Sequence, residues 1–157
     1  MTDLTLDVQR HPFAAGMRPE HCAKLGQLAR RVEFPANAVL FLEGDQRHEF
    51  FLLIAGRIAL EVQSHGQALR VDTLEPGAAL GWSSVLLDRG KFFGARALEP
   101  VTALVFPGVE LLAACREDRD FGFEMMSRLL EIVSRRLQVA RVKVLDSFWH
   151  VAKKAGA

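Results

Sequence analysis

The feature that most limits how this chain can fold is a series of short apolar runs between residues 31 and 107. Some runs alternate apolar with polar residues, and turn signals such as Pro76-Gly77 and Pro107-Gly108 separate them. About eight short strands at this spacing are typical of a β-sandwich or a β-barrel. The predicted strands are residues 32–34, 39–42, 50–54, 58–62, 68–74, a short apolar step after Gly77, 95–98 and 102–106.

Helical patterns flank the strands on both sides. A predicted amphipathic helix covers residues 19–30, and the weakly patterned residues 1–12 are interpreted as an N-terminal tail or short lead-in. After the strands, residues 109–114 predict a short helix, and residues 121–151 predict a much longer one. The predicted organisation is therefore a tail over residues 1–12, a β-domain over 13–118, a long helix over 119–151 and a tail over 152–157.

The long helix carries two apolar stripes. The first is a seam with alternating steps of four and three residues, formed by Met126, Leu130, Val133, Leu137, Ala140 and Val144. The second stripe contains Leu129, Ile132 and Leu145. Since two stripes need two partners, we predict that one packs on the barrel and the seam pairs with a second copy of the helix. The alternative is a helix roughly 45 Å long that lies across its own barrel only.

A segment rich in small residues precedes the strand at residues 95–98. It contains Gly81, Trp82, Ser83 and Ser84, and Lys91 follows after a polar loop. If a helical turn begins at Trp82, its unpaired backbone N–H groups bind an anion, and Lys91 closes over that anion as a point charge. The alternative is a purely structural connection made of a strand, a one-turn helix and a loop.

Composition excludes several classes of protein. The net charge of +1 gives no general attraction to nucleic acid or to a membrane surface. No window approaches 18 uninterrupted apolar residues, and the N-terminus lacks the apolar segment of a signal peptide. The two cysteines, Cys22 and Cys115, fit no metal spacing and are interpreted as buried thiols. We expect a soluble, cytoplasmic domain.

The residues that would carry catalysis are missing or scattered. The five histidines are dispersed without a His-x-His pair, which argues against a cupin-like metalloenzyme, and we expect no metal. No His and Asp motif accompanies Ser83-Ser84, and the chain has no tyrosine. We therefore predict that the protein is not an enzyme and has no catalytic residues. A small β-barrel enzyme is the least favoured alternative.

Several motifs together resemble the cyclic nucleotide-binding domain, and most closely the sensor domain of catabolite-activator/FNR-type (Crp/Fnr) bacterial regulators. They are FLEGD at 41–45, FLLIAGRI at 51–58, RALEPV at 96–101 and RRLQ at 135–138, and the similarity covers roughly residues 13–148. The resemblance implies an eight-stranded antiparallel β-roll or jelly-roll barrel, followed by a long C-terminal dimerisation helix.

The resemblance also assigns a phosphate-binding cassette, formed by Gly81, Trp82, Ser83, Ser84, Lys91 and Phe92. In cAMP-binding members a Gly-Glu pair holds the ribose, and an Arg followed by Ser or Thr binds the cyclic phosphate. Here Trp82 stands at the glutamate position, and Lys91 and Phe92 fall at or beside the other two. A lysine lacks the guanidinium fork, and an unpaired ribose hydroxyl costs about 1–3 kcal/mol. Trp82 either fills the sugar pocket or offers an aromatic wall to a different ligand.

Two main functional hypotheses follow from the resemblance. The first is a dimeric sensor without a cofactor, which binds a cyclic nucleotide or another small anionic ligand and shifts its long helices. The second is an interaction domain with a vestigial pocket, which recruits a partner protein. The family's regulators carry a helix-turn-helix domain after the long helix, whereas this sequence stops at Ala157. We therefore expect a complete short protein that does not bind DNA directly.

Overall fold

The structure is a computed structural model that describes residues 3–86 and 90–156, without the side chain of Ser84. The described residues form eight strands: β1 Arg30–Phe34, β2 Val39–Phe41, β3 Glu49–Ala55, β4 Ile58–Ser64, β5 Gln67–Leu74, β6 Ala79–Leu80, β7 Gly94–Ala97 and β8 Val101–Pro107. Five α-helices and one 3₁₀ helix accompany them: α1 Thr5–Arg10, the 3₁₀ helix Pro12–Ala14, α2 Pro19–Leu28, α3 Trp82–Leu86, α4 Gly108–Glu117 and α5 Arg119–Ala155.

The strands form two four-stranded antiparallel sheets, which confirms the predicted β-roll. One sheet has the order β1-β8-β3-β6 and the other has the order β2-β7-β4-β5. β3 is buried on both faces, which explains why its sequence shows no alternation. Phe51 and Leu53 pack in the core shared with the second sheet, whereas Phe50 and Leu52 pack in the core beneath the helices.

The N-terminal residues differ from the predicted tail. Residues Thr5–Arg10 form helix α1, and Val8 on this helix is fully buried. α1 lies so close to α2 that a Cβ on Gly26 would approach the backbone of Thr5 to 2.5 Å. A six-residue helix is too short to show a periodic pattern. Its stability comes from tertiary packing that the sequence does not display.

α5 is longer than predicted and changes its environment along its length. It begins after Asp118, whose side chain accepts a hydrogen bond from the backbone N–H of Phe121, and it continues to Ala155. Its first turns pack on the core through Phe121, Met125 and Leu129, whereas every described residue from 137 onward is exposed. The helix continues past residue 151 because Ala and Lys are good helix formers. No helix in the described chain combines the length and apolar character that crossing a membrane requires.

Candidate functional site

The cassette begins at Gly81, where any larger residue would displace the neighbouring backbone. Gly81 has a φ of +83°, and a Cβ there would lie 2.4 Å from the carbonyl oxygen of Glu49. β6 thus runs directly against β3 at this point, and the chain then turns into α3 at Trp82. The helical turn predicted at Trp82 is therefore present. The close approach that Gly81 permits is to the backbone of the neighbouring strand.

Lys91 lies inside the protein, with its side chain directed at β3. Lys91 is 3 % exposed, its Nζ donates a hydrogen bond to the carbonyl of Glu49 at 2.6 Å, and it lies 5.0 Å from the ring centroid of Phe41. Burial lowers the pKa of the Lys91 ammonium to about 8 from an ordinary value of 10.5. The backbone N–H of Lys91 donates to the carbonyl of Asp45, and the backbone N–H of Gly44 donates to the carbonyl of Lys91, which ties Lys91 to the turn after β2.

Two aromatic side chains of the cassette pack against each other. The rings of Trp82 and Phe92 make an edge-to-face contact, with centroids 5.8 Å apart and planes at 87°. The space that remains between this pair, Gly81 and Lys91 measures about 20 Å³. A cavity of that size holds roughly one water molecule. The side chain of Ser84 lies outside the described part of the structure, and Ser83 is buried.

A much larger cavity, which shares Trp82 and Phe92 in its lining, lies between the β-roll and α5. Its volume is about 460 Å³, within the usual range for small-molecule sites. Most of its lining is apolar, and we call it the aromatic groove. The β-roll contributes Leu60, Val71, Asp72, Trp82, Phe92 and Phe93, and α5 contributes Val133, Arg136, Leu137, Val139, Ala140 and Lys143.

Arg136 connects the helix, the groove and the cassette. Its Nη2 donates a hydrogen bond to the carbonyl of Ala79 at 2.6 Å, immediately before the cassette. It lines both the aromatic groove and the small space beside Lys91. Burial lowers the pKa of its guanidinium, which nevertheless stays charged near neutral pH. Sequence reasoning identified Arg136 only as part of the RRLQ motif, because nothing local distinguishes it from the exposed Arg135.

The two apolar stripes on α5 differ in burial. Leu129 and Ile132 of the second stripe face the core, as expected for the stripe that packs on the barrel, whereas Leu145 is exposed. In the seam, Met126 and Val133 are half-buried. Four seam residues are exposed: Leu130, Leu137, Ala140 and Val144.

Charged and polar side chains near the site are paired with one another. Nε of Arg96 donates to Glu61 at 3.1 Å on the neighbouring strand, and Arg57 pairs with Glu99. His21 is 2 % exposed and contacts the carboxylate of Glu124 on α5. Within the described chain, no group of His, Cys, Asp and Glu side chains is arranged to hold a metal ion.

Comparison with known proteins bears on the identity of this fold. The structure is similar to a putative cyclic nucleotide-binding protein from Geobacter metallireducens GS-15, with a TM-score of 0.74 and 26% identity over 87% of this chain and 98% of that one. It is also similar to the catabolite activator protein of Thermus thermophilus, with a TM-score of 0.71 and 24% identity over 85% of this chain and 61% of that one.

The fold also matches the sensor domain of the transcriptional regulator DNR from Pseudomonas aeruginosa, with a TM-score of 0.67 and 16% identity over 87% of this chain and 95% of that one. The comparison with curated proteins finds no significant match. The family model of the cyclic nucleotide-binding domain matches residues 31–118, which span β1 to the end of α4 and include the whole cassette. The chain therefore belongs to the cyclic nucleotide-binding domain family.

Proposed function

We propose that this protein is a non-enzymatic sensor domain that works as a homodimer. A small anionic ligand binds between the cassette and α5, changes how α5 is held, and the paired α5 helices transmit the change. One observation carries the proposal: α5 and the cassette share a cavity, with Arg136 of α5 hydrogen-bonded to Ala79 beside the cassette. A ligand in this cavity touches both elements, so it can favour one position of the helix over another.

The exposed apolar side chains of α5 support the dimer. Leu130, Leu137 and Val144 recur every seven residues and are 65%, 69% and 53% exposed. This period is typical of a coiled coil, in which such side chains pack against a second helix. The barrel does not cover them because Leu129 and Ile132 already occupy the face of α5 that packs on the core.

The second hypothesis, an interaction domain with a vestigial pocket, is also supported by one observation. The space enclosed by Gly81, Lys91 and the Trp82–Phe92 pair has room for about one water molecule, and the Lys91 ammonium is already bonded to Glu49. A cyclic nucleotide needs both rings moved before its phosphate reaches the cassette.

The thermal midpoint of unfolding, measured with and without cAMP or cGMP, separates the two hypotheses. A ligand at 100 times its dissociation constant adds about 2.7 kcal/mol of stability, which raises the midpoint by several degrees. A rise that is lost in Lys91→Met identifies a nucleotide sensor that uses the cassette. If neither these nucleotides nor the ligand class considered below raises the midpoint, the sensor proposal fails and the interaction domain takes its place. Sedimentation equilibrium of the protein tests the dimer independently of any ligand.

A further inference from the structure

We propose that the aromatic groove binds a small organic monoanion, namely a flat apolar body that carries a single carboxylate, and that Arg136 receives the carboxylate. This inference rests on the proposed sensor function, because it names the ligand class of the same cavity. The proposed ligand therefore lies in the aromatic groove between Trp82, Phe92 and α5, and not in the small space beside Lys91.

The shape and lining of the groove favour an apolar ligand. Trp82, Phe92 and Phe93 form one wall, and Val133, Leu137 and Ala140 on α5 form the wall opposite. Such surfaces stabilise a flat hydrocarbon body through area burial and ring contacts. A ribose and a cyclic phosphate are rich in polar groups, and each one buried here without a hydrogen bond would oppose binding.

The charges of the groove favour one negative group on that ligand. Among the described residues of the lining, Arg136 and Lys143 are the cations and Asp72 is the acid. Lys143 is paired with Asp72, at 3.4 Å between Nζ and Oδ1. Arg136 donates to a neutral carbonyl, so its positive charge is not neutralised by that bond. The described part of the lining therefore carries one net positive charge, centred on Arg136.

The donors of Arg136 also suit a carboxylate. A guanidinium has five N–H donors in a planar fork, and the bond to Ala79 uses one of them. Among the described residues, the only buried side-chain nitrogen or oxygen without a partner is Nε of Arg128, so the other donors of Arg136 are either bonded or open to solvent. A carboxylate that enters from the solvent side of the groove meets this fork and forms charge-assisted hydrogen bonds.

The test uses 1-naphthaleneacetate and its neutral counterpart, 1-naphthaleneacetamide, which share one apolar body and differ in charge. Trp149→Phe provides the background, since Trp149 is 72% exposed at the far end of α5 and its replacement leaves Trp82 as the single tryptophan reporter in the groove. Quenching of Trp82 fluorescence gives both dissociation constants. We expect the acid to bind about tenfold or more tightly than the amide, as charge-assisted bonds require.

Four further variants locate the site. Arg136→Gln should remove the preference for the acid while the affinity for the amide stays unchanged, and Arg136→Lys should retain much of that preference. Arg135→Gln, which removes the same charge from the adjacent exposed position, should behave as the background protein. Val139→Phe, at a groove position outside the seam, should fill the groove and abolish binding of both compounds, with circular dichroism confirming that the helix still forms.

The following results would contradict the proposed ligand class or the sensor function. Equal affinities for acid and amide, a preference that persists in Arg136→Gln, or binding that survives Val139→Phe would overturn the inference. If cAMP or cGMP binds and neither naphthalene compound does, the ligand class is wrong while the sensor function stands. If none of the four compounds binds, the inference and the sensor function fail together.

Discussion

The burial of the Lys91 side chain changes what the cassette can bind. In a solvated loop the ammonium would be a mobile cation ready for a phosphate. Here it is buried beneath Trp82 and Phe92, bonded to the carbonyl of Glu49, and its pKa is lowered to about 8 by burial. Holding the charged form away from water costs stability at neutral pH, and loss of the proton relieves that cost.

The pH dependence of stability tests this description of Lys91. Because the pKa is about 8 in the folded protein and 10.5 ordinarily, the unfolded chain holds the proton more tightly across that interval. The contribution of Lys91 to the free energy of unfolding should therefore rise between these values, by up to about 3 kcal/mol in total, and be constant below pH 8. The measurement is urea denaturation of the protein and of Lys91→Met at several values from pH 7 to pH 10.5.

The difference in unfolding free energy between the two proteins isolates Lys91 from the other groups that titrate in this range. Lys153→Met, at an exposed position near the end of α5, should leave the pH dependence of the protein unchanged. A difference between protein and Lys91→Met that stays flat across the range would mean that the ammonium is solvated.

Among the elements, α5 is the one whose role depends on which face is considered. Phe121, Met125 and Leu129 belong to the core beneath the sheet, and Arg136 reaches to the cassette. Leu130 lies one residue beyond the core-facing position 129 and is 65% exposed. The same helix thus packs on its own barrel, lines a cavity and presents an apolar seam.

The seam predicts a specific loss of self-association. Leu130→Glu places a carboxylate in the proposed helix–helix contact, where charge without a partner is strongly unfavourable, so the dimer should weaken by tenfold or more. Gln138→Glu introduces the same group on an exposed face of the same helix and should leave the dimer intact. Sedimentation equilibrium compares the two variants with the protein. If the two variants have the same dimer dissociation constant, the dimer contact does not involve the seam.

At the scale of the whole molecule, the N-terminal helices hold α5 against the β-roll. Glu124 on α5 contacts His21 on α2 and accepts a hydrogen bond from Arg128 at 2.9 Å. Arg128 also donates to the carbonyls of Phe13 and Ala15, at 2.6 and 3.0 Å. This network ties two separate parts of the chain, α2 and the segment from Phe13 to Ala15, to the base of the helix.

Removal of Arg128 should therefore destabilise the entire fold. The side chains of Arg128 and Glu124 are 18% and 20% exposed, so Arg128→Met leaves a largely buried carboxylate and should cost about 3 kcal/mol. The matched control is the pair of Arg135 and Glu131, which has the same spacing on the same helix and is 76% and 62% exposed. Arg135→Met should cost less than about 1 kcal/mol by urea denaturation. Comparable losses would show that the network is solvated.

The sequence by itself determined the class of the fold and one face of the long helix. Short strands separated by turns predict a β-sandwich or a β-barrel because each strand has to bury apolar residues, and the resemblance to the cyclic nucleotide-binding domain implied the β-roll. The two-stripe pattern on the long helix includes the side that packs on the core, Leu129 and Ile132. The resemblance to the cyclic nucleotide-binding domain assigned the cassette residues Gly81, Trp82, Ser83, Ser84, Lys91 and Phe92. The strands and the long helix could be predicted from the sequence because they depend on local periodicity and turn chemistry.

Only the tertiary structure decided what the cassette residues touch. The direction of Lys91, the contact between Trp82 and Phe92, and the position of Arg136 beside Ala79 all join residues distant in sequence. Helix α1 was missed for the same reason, because its stability comes from packing against α2. Packing and burial depend on the whole fold, so a lysine that the sequence shows as a candidate phosphate ligand becomes, in the folded chain, a buried group bonded to the backbone carbonyl of Glu49.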